Sequence, residues 1–421
     1  MFRAITMWFV FLAAIPVQAR ELTIATWNLG WHLSKSDVQT WIAKCGQPFA
    51  LNSAGTMYEP SSAGTPGWGL DWDRDAPIPP LWDLSVLPPC NVFQDASRKV
   101  VPVTATAYSK RASQIATKIG QDLGADIIAF EEVSGEQAVR DVLPNGGADY
   151  NVCSFTDYKV QRLAFAWKKE FGDASVCRPE KPVSLPGESA KNQVRPGLTF
   201  ELSIDGKLAR FLAVHLKSSC VSPLDGTTDP KRGKLEGDEA NCVILQEQVS
   251  PLEAWIEREA PADGRIVVLG DFNRSLWFEA QNSESVRIDG SDPTSALPSS
   301  TMVRNLVKEI NDGSPANSKL TLLHETCPAV AQDKALCDDP TTVVDAARRK
   351  EARRVLPFTE NLGCRNPMEL DHILLGPAFT SSGGEKVSLG RMGRTLPASA
   401  EHPDPLLALS DHCPLKAVIS D

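Results

Sequence analysis

The apolar residues of the chain gather in short runs, and most of these runs end in polar residues that can do chemistry. Five runs have strand character and end this way: 22–28, 126–133, 210–217, 265–273 and 369–375. A sixth run, 414–419, is preceded by such residues. Strands that are apolar on both faces belong inside a layered α/β or sandwich core. The pattern therefore predicts a core of buried strands whose polar ends meet at one rim.

Segments 107–123 and 249–259 carry apolar residues at three- and four-residue steps, which predicts helices. Three longer stretches, 33–106, 218–245 and 275–365, are irregular in pattern and richer in Pro, Gly, Ser, Asp and Cys. Residues with candidate chemistry lie on both sides of each stretch. We therefore predict one domain that carries these stretches as insertions.

The first nineteen residues have the pattern of a signal peptide. Arg3 leads into an apolar run, 5–17, that ends in Val17-Gln18-Ala19, a small-residue cleavage site. The run is shorter than the ~20 residues that a membrane span needs. We predict cleavage of residues 1–19 and a mature domain, 20–421, that is secreted or periplasmic, monomeric and not inserted in a membrane. An uncleaved anchor is the alternative.

The cysteines support the same compartment. There are ten, an even number, and exported proteins oxidise their thiols whereas cytosolic proteins rarely do. No two of them have C-x-x-C spacing, which excludes the usual zinc-knuckle and thioredoxin-like motifs. We predict that most are in disulfides. Three pairs bracket loops between predicted strands: Cys45–Cys90, Cys153–Cys177 and Cys220–Cys242.

The net charge limits the kind of surface the protein can have. It is −10 for the chain, and loss of Arg3 with the signal peptide makes it −11. This argues against a basic surface. It does not exclude a nucleic-acid substrate, because a bound divalent cation supplies positive charge where a phosphate lies. Binding of such a substrate is expected to be weak and sensitive to salt.

Three sequence motifs place acids and imidazoles at the ends of predicted strands. In Gly270-Asp271-Phe272-Asn273, the side chains of Asp271 and Asn273 point to the same face and can aim an attacking water. Asp411 and His412 stand next to each other just before the last run. Asp371 lies within an apolar run, where an unpaired carboxylate is costly, so we expect an imidazole partner.

Three further segments complete an ordered series: Thr26-Trp27-Asn28-Leu29, 127–133 and 211–218. The whole series resembles the endonuclease/exonuclease/phosphatase superfamily, which includes pancreatic deoxyribonuclease, abasic-site endonucleases, sphingomyelinases and inositol-polyphosphate phosphatases. The six motifs follow the family's order and span residues 22 to 416. The resemblance implies an α/β (α+β) fold, a four-layer sandwich of two packed mixed β-sheets flanked by helices. Here the sandwich would carry long disulfide-stapled loop insertions.

The resemblance implies a metal site made of Asn28, Glu132 and Asp411. Oxygen and amide ligands of this kind favour Mg²⁺, Mn²⁺ or Ca²⁺ over zinc. The family usually has Gln where this chain has Glu131, so which of the two neighbouring acids coordinates stays open.

The resemblance also implies catalytic roles. His215 would contact the scissile phosphate and could protonate the leaving oxygen. His412 would assist attack or stabilise charge, and Asp371 would orient it and raise its basicity. Asp271 and Asn273 would position the water and stabilise the charge on the pentavalent phosphorus.

Two weaker matches imply a phosphate clamp. Arg195 precedes a strand as the family's phosphate-binding arginine does, and a guanidinium fork suits phosphate oxygens. Tyr158 is the second candidate. In the deoxyribonuclease branch a glutamate two residues after that tyrosine braces the histidine that corresponds to His215, but this chain has Val160 there.

Other features are more simply structural. Trp41, Trp68, Trp72 and Trp82 crowd one insertion, where they are expected to form a small local core, the alternative being stacking on bases. The basic segment 348–354 is expected to be a solvated helix face, the alternative being a polyanion contact. His32, His324, His372 and His402 match no catalytic position and are expected to be structural or on the surface.

These patterns predict a secreted, divalent-metal-dependent phosphodiester hydrolase, most simply a nuclease acting on DNA and perhaps RNA. One alternative is a phosphatase or sphingomyelinase-like phosphodiesterase, for which the Trp-rich insertion would have to meet a membrane. Another is a non-catalytic binding protein on the same fold. Family membership does not fix the substrate.

Overall fold

The computed structural model describes residues 20–72, 77–79, 82–83, 86–156, 158, 160–189, 192–226, 229–281, 305–312 and 314–421. The predicted signal peptide lies outside these residues, so its cleavage stays a prediction. Among the described residues, no helix is both long enough and apolar enough to cross a membrane.

The strands of the described residues are numbered in chain order. They are β1 (Leu22–His32), β2 (Pro48–Leu51), β3 (Tyr58–Pro60), β4 (Thr65–Pro66), β5 (Ile127–Val133), β6 (Tyr150–Ser154), β7 (Arg162–Lys168), β8 (Val176–Glu180), β9 (Gly197–Ile204), β10 (Lys207–His215), β11 (Ile266–Asp271), β12 (Thr321–Leu322), β13 (Glu325–Thr326), β14 (Asp371–Leu375), β15 (Thr380–Lys386) and β16 (Leu415–Ser420). The six predicted runs correspond to β1, β5, β10, β11, β14 and β16, so these predictions are confirmed.

The α-helices are α1 (Lys35–Gly46), α2 (Ala105–Lys118), α3 (Glu136–Val142), α4 (Ala240–Glu259), α5 (Leu276–Gln281), α6 (Leu306–Glu309), α7 (Lys334–Asp338) and α8 (Ala346–Val355). The two predicted helices are α2, which continues as a π-turn over Ile119–Leu123, and the second half of α4. Helix α4 begins earlier than predicted because the side chain of Glu239 accepts hydrogen bonds from the first backbone N–H groups. Helices α1, α5, α6 and α7 lie in stretches predicted to be irregular, so that prediction was wrong there. Helix α8 contains the basic segment 348–354, for which a helix was expected.

The strands form two large sheets. One has the order β13-β15-β16-β1-β5-β7-β6 and the other β12-β14-β11-β10-β9-β8, and a small third sheet has the order β3-β2-β4. Both large sheets are mixed. Strand β1 runs parallel to β5 and antiparallel to β16, while β11 runs parallel to β10 and antiparallel to β14.

The main core lies between the two large sheets, where aromatic and aliphatic side chains such as Phe165, Phe200 and Ile373 are fully buried. The outer face of the first sheet packs against helices α2, α3 and α8. The outer face of the second packs against α4. Burial of each such side chain contributes about 1.5–3 kcal/mol. These four layers confirm the predicted fold class.

All ten cysteines are paired. The three predicted disulfides, Cys45–Cys90, Cys153–Cys177 and Cys220–Cys242, are confirmed. Two more join Cys327 to Cys337 and Cys364 to Cys413. Each of the three insertions therefore contains at least one disulfide-bonded cysteine, which confirms the prediction of stapled loops.

The Trp-rich insertion forms a small core of its own around Cys45–Cys90. Trp41 is fully buried, and its ring meets Trp68 edge to face at a centroid distance of 5.2 Å. Trp72 and Trp82 are half-buried and pack against each other. The structural interpretation of these residues is confirmed.

The basic segment on α8 is not simply a solvated face. Arg349 is buried and pairs with Glu369 (2.5 Å) and Asp225 (2.8 Å). Arg353, which is more exposed, pairs with the same two acids. The prediction fails for Arg349, because Asp225 earlier in the chain and Glu369 later in it supply partners that a local charge pattern does not reveal. Arg353 is exposed, as predicted, although it pairs with the same acids.

Candidate active site

Sheet register brings the predicted polar groups to one edge of the sandwich. His215 at the end of β10 is opposite Asp271 at the end of β11, and Asp271 is opposite Asp371 at the start of β14. In the other sheet Asn28 of β1 is opposite Glu131 of β5. Because β14 runs antiparallel to β11, its first residue lies at the same edge as the last residue of β11.

Asp371 and His412 form a buried pair. The distance between His412 Nδ1 and Asp371 Oδ2 is 2.9 Å. The second oxygen of Asp371 is buried and has no hydrogen-bond partner in the described residues. Burial by itself would lower the pKa of His412, but the charges of Asp371 and Asp271 outweigh burial and hold it well above its usual range. His412 is therefore an imidazolium near neutral pH.

Asp271 lies between the two histidines. Its Oδ2 is 3.5 Å from His215 Nε2 and 3.8 Å from His412 Nε2, and it accepts a 3.1 Å hydrogen bond from Asn28 Nδ2. Its Oδ1 accepts the backbone N–H of Asn273 at 2.8 Å. Burial, opposed by the charge of His412 and helped by that of Asp371, raises the pKa of Asp271 to about 7. A carboxylate with a raised pKa is a stronger base than an exposed one.

The backbone of the Gly270–Asn273 turn requires its glycine. Gly270 has φ +134°, and a Cβ there would lie 2.1 Å from the carbonyl oxygen of Val214. Asn273 has φ +51°, an unusual value for a residue with a side chain, and its Nδ2 donates to the carbonyl of Leu216 at 3.1 Å. Such backbone positions are held by the surrounding structure and are common at active sites.

The two adjacent acids of β5 have different environments. Glu131 is completely buried and accepts a 2.7 Å hydrogen bond from Thr26 Oγ1. Burial raises the pKa of Glu131 well above its usual range, which favours the protonated form, close in shape to the Gln expected there from the sequence resemblance. Glu132 has φ +57° and accepts the backbone N–H of Trp31 at 3.1 Å.

Glu132 faces the imidazole of His215. The distance between Glu132 Oε1 and His215 Nε2 is 3.6 Å. Burial raises the pKa of Glu132, while the nearby Arg195 opposes that rise. Of the two acids, Glu132 is thus the one whose carboxylate reaches the other polar groups of the rim.

His215 lacks a brace on its far side. Its Nδ1 is buried without a hydrogen-bond partner in the described residues, and Val160, where the deoxyribonuclease branch has a glutamate, is buried. Burial, together with the positive charges of Arg195 and His412, holds the pKa of His215 well below its usual range. A neutral imidazole can donate one N–H hydrogen bond to a phosphate oxygen, but it has no extra proton to give to the leaving oxygen as a general acid.

Asp411 lies on the loop before β16. Burial by itself would raise its pKa, but His412 and the Arg365 guanidinium hold it below the usual range, so Asp411 is ionised. The loop is tied to β1 because Ser410 Oγ donates to the carbonyl of Asn28 and accepts the N–H of His412 at 3.0 Å.

The clamp candidates lie beside Glu132. Arg195 Nη2 donates to Gln161 Oε1 at 2.6 Å, and its charge acts on Glu132, His215 and Tyr158. Burial raises the pKa of Tyr158, while Arg195 opposes the rise. The structure thus brings both candidates to the same side of the rim as the proposed metal ligand.

No protein-family model and no curated protein sequence matches the chain. Solved structures match it at low identity. One is an endonuclease/exonuclease/phosphatase family protein from Bacteroides thetaiotaomicron, with 12% identity and a TM-score of 0.43 over 96% of this chain and 98% of that one. ANGEL2, a 2′,3′-cyclic phosphatase, has 15% identity and a TM-score of 0.43 over 96% of each chain. Humanized D. rerio TDP2 has 11% identity and a TM-score of 0.40 over 95% of this chain and 99% of that one.

The chain is similar to endonuclease/exonuclease/phosphatase proteins. The divalent metal predicted from the sequence can be tested against the donor atoms present. Asp271, Asp371 and His412 have ligand atoms within 4.8 Å of one another. The carboxylate oxygens of Asp271 and Asp371 can bind a metal ion, whereas His412, protonated beside Asp371, has no free nitrogen lone pair for one. The unpartnered oxygen of Asp371 and the ionised Asp411 add oxygen donors of the kind that Mg²⁺ or Mn²⁺ binds. The residues therefore fit a divalent cation.

The metal ligands predicted from the sequence resemblance, Asn28, Glu132 and Asp411, also lie at this rim. Asn28 bonds Asp271, Glu132 is near His215, and Asp411 adjoins His412 in sequence. Which of these oxygens and amides bind the ion stays a prediction, as do the catalytic roles.

Three residues at the rim were missed from the sequence. Arg111 of α2 is fully buried, and its Nη2 donates to the carbonyl of Leu409 at 2.7 Å, which anchors the loop before Asp411. Arg365 and Asn366 both contact Asp411. Arg111 lies in an ordinary helical pattern that gives no signal. Arg365 and Asn366 directly follow Cys364, but this position points to the site only once Cys413 is known to be the partner of Cys364.

Two of the histidines expected to be structural are buried outside this set. His372 Nδ1 lies 2.6 Å from Glu325 Oε1, and Lys386 Nζ lies 2.7 Å from the other oxygen of Glu325. His32 Nδ1 contacts the guanidinium of Arg111 at 2.6 Å.

Proposed function

We propose that the protein is a secreted, divalent-metal-dependent phosphodiesterase of the endonuclease/exonuclease/phosphatase superfamily, and that it acts as a nuclease. The observation that carries the proposal is the buried Asp371–His412 pair beside Asp271, at the edge where Glu132 and Asp411 also lie. Burying this many carboxylates and imidazoles costs folding free energy, so a catalytic function is the simplest reason for the protein to keep them.

The attacking water would be held by Asp271. Its carboxylate would accept the water's proton as the water oxygen bonds to phosphorus and the P–O ester bond breaks. The leaving oxygen would take its proton from the protonated His412. Asn28 and the N–H of Asn273 fix the orientation of Asp271. A base with a pKa near the working pH transfers protons efficiently. Asn273 would hold the water from the same face.

The phosphoryl oxygens would be bound by the two histidines. His412, kept protonated by Asp371, donates a charged hydrogen bond to the oxygen on which negative charge grows. His215 donates a neutral hydrogen bond from Nε2, and Arg195 contacts the phosphate from beside Glu132. A bound divalent cation would neutralise charge on the phosphoryl group.

The four tryptophans of the insertion are poorly placed for membrane contact. Trp41 is buried, and Trp68, Trp72 and Trp82 are half-buried in a disulfide-closed core. Three other apolar side chains of the insertion, Leu51, Met57 and Val86, are exposed, so a sphingomyelinase-like enzyme is kept as the second candidate. Export of the protein is supported by the pairing of all ten cysteines.

A substrate panel tests this proposal. The purified protein is incubated with plasmid DNA, RNA, bis-p-nitrophenyl phosphate and sphingomyelin, each with and without a chelator. We expect the two nucleic acids and the small diester to be cleaved only without the chelator. Cleavage of sphingomyelin alone would reassign the substrate class, and no cleavage of any of the four would contradict the proposed activity.

A further inference from the structure

A disulfide places the short segment Arg365-Asn366 directly against the loop before β16, which carries Asp411 and His412 and is called the catalytic loop below. Cys364 is bonded to Cys413, so the dipeptide after Cys364 faces the dipeptide before Cys413. The backbones are paired there: Asn366 forms a parallel bridge with His412, and Asn366 N donates to the carbonyl of Asp411 at 2.6 Å. Pro367 follows Asn366 and favours an extended backbone at this position. The segment is therefore fixed by covalent and hydrogen bonds.

Asn366 uses its side chain to hold the catalytic loop. Its Nδ2 lies 3.0 Å from Asp411 Oδ2 and 3.3 Å from His412 Nε2. It therefore touches both members of the Asp411–His412 dipeptide and limits how far each can move.

Arg365 presents a cation at the mouth of the site. Its Nη2 lies 2.8 Å from Asp411 Oδ2, and its side chain is 70% exposed. A guanidinium has five N–H donors in a planar fork, and the Asp411 contact uses only part of that capacity. An exposed ion pair by itself contributes little to stability, so stability is a weak reason for a disulfide to hold this arginine here.

The two arginines of the rim serve different groups. The charge of Arg195 acts on Glu132 and His215, whereas Arg365 contacts Asp411 on the loop that carries His412. Arg195 is the candidate for the scissile phosphate. Arg365 has further N–H donors with no partner among the described residues, and it is exposed, so it can bind a different anionic group of the substrate.

We infer that Arg365 binds a phosphate next to the scissile one, so that the site prefers polynucleotides over substrates with a single phosphate. This rests on the proposed phosphodiesterase function. The acidic character of the protein adds weight to each such contact, because a chain of net charge −10 has few other means of attracting a polyanion.

The test compares Arg365→Ala with the wild type on two substrates, a single-stranded oligonucleotide and bis-p-nitrophenyl phosphate, which has one phosphate. Arg354→Ala is the matched control, since Arg354 is 63% exposed and also paired with an acid, Glu351. A charged hydrogen bond is worth roughly tenfold or more in affinity. We expect the KM for the oligonucleotide to rise about tenfold more than the KM for the small diester, with Arg354→Ala unchanged.

The salt dependence of oligonucleotide binding separates phosphate binding by Arg365 from a purely structural role, because a structural role would leave that dependence unchanged. One lost phosphate contact reduces the slope of log affinity against log salt by roughly 0.7 for a single strand. We expect that reduction in oligonucleotide binding measured by fluorescence anisotropy with Ca²⁺, and partial recovery in Arg365→Lys.

Equal losses on both substrates, or an unchanged salt slope, would overturn the assignment of Arg365. Those outcomes require an active wild type, so they are distinct from failure of the proposed function, in which the wild type cleaves neither substrate.

Discussion

Removal of the Asp371–His412 pair gives the most informative mutational test. His412 Nδ1 and Asp371 Oδ2 are 2.9 Å apart, and both side chains are buried. Asp371→Asn removes the charge that raises the pKa of His412 and replaces one carboxylate oxygen by an NH2 group, which weakens the hold on the imidazole. His412→Ala removes the imidazole itself. General acid–base or charge assistance of this kind is worth ~10²- to 10⁴-fold, which corresponds to about 3–5 kcal/mol of transition-state stabilisation.

The double variant separates two models. If Asp371 acts only through His412, the double variant should lose about as much activity as either single variant, because groups that act as one unit are strongly non-additive. Independent groups would multiply their losses to ~10⁴- to 10⁸-fold.

The assay is kcat and KM on bis-p-nitrophenyl phosphate with Mg²⁺ for the wild type, both single variants and the double variant, with circular dichroism to confirm folding. Glu325→Gln is the matched control, because Glu325 forms a similar buried pair with His372, outside the proposed catalytic set. It should change stability but leave kcat close to that of the wild type. Multiplicative losses in the double variant would refute the dyad.

Three further results are expected. Glu132→Gln should need much more Mg²⁺ to restore activity after chelation, whereas Glu131→Gln should behave like wild type because burial already favours the protonated form of Glu131; a reversed order would show that the register of this motif is wrong. Arg195→Ala should mainly raise KM, and less so at high salt, where phosphate attraction is screened; a pure loss of kcat would contradict the clamp. Burial would raise the pKa of Glu325, but its two cationic partners lower it from 4.5 to about 2. This lowered pKa stabilises the fold by about 3 kcal/mol above pH 4.5, and the contribution is lost as pH falls from 4.5 to 2. Urea midpoints should therefore drop over that range in the wild type and change less in Glu325→Gln.

The core strands were predictable because each is a short apolar run with a polar end. The runs 265–273 and 369–375 became β11 and β14, and their antiparallel pairing brings Asp271 opposite Asp371. Strands β6, β7 and β8 were not among the predicted runs, and β9 was expected only as the strand after Arg195. Strand β7 contains an uninterrupted apolar run, 163–167, but it lies between the recognisable motifs and carries none of the candidate catalytic residues. Helix α1 was missed because its buried residues, Val38, Trp41 and Cys45, form too short a pattern to stand out.

The polar edge was predictable as a set of residues but not as a set of contacts. The partner of Asp371 was expected to be an imidazole, and His412 is that partner. The contacts of Asp411 with Arg365 and Asn366 depend on the Cys364–Cys413 disulfide, which joins residues 49 positions apart. The three predicted disulfides each bracket a loop, whereas Cys364 and Cys413 bracket the predicted strand 369–375, so their pairing could not be deduced from the sequence.

The central claim is that the converging strand ends form a metal-dependent site for phosphodiester cleavage. It is tested most directly by metal titration of the chelator-treated wild type, with hydrolysis of bis-p-nitrophenyl phosphate as the readout. We predict no hydrolysis before metal is added and recovery that saturates with Mg²⁺ or Mn²⁺. Hydrolysis that persists without metal, or no hydrolysis at saturating concentrations of either ion, would contradict the account.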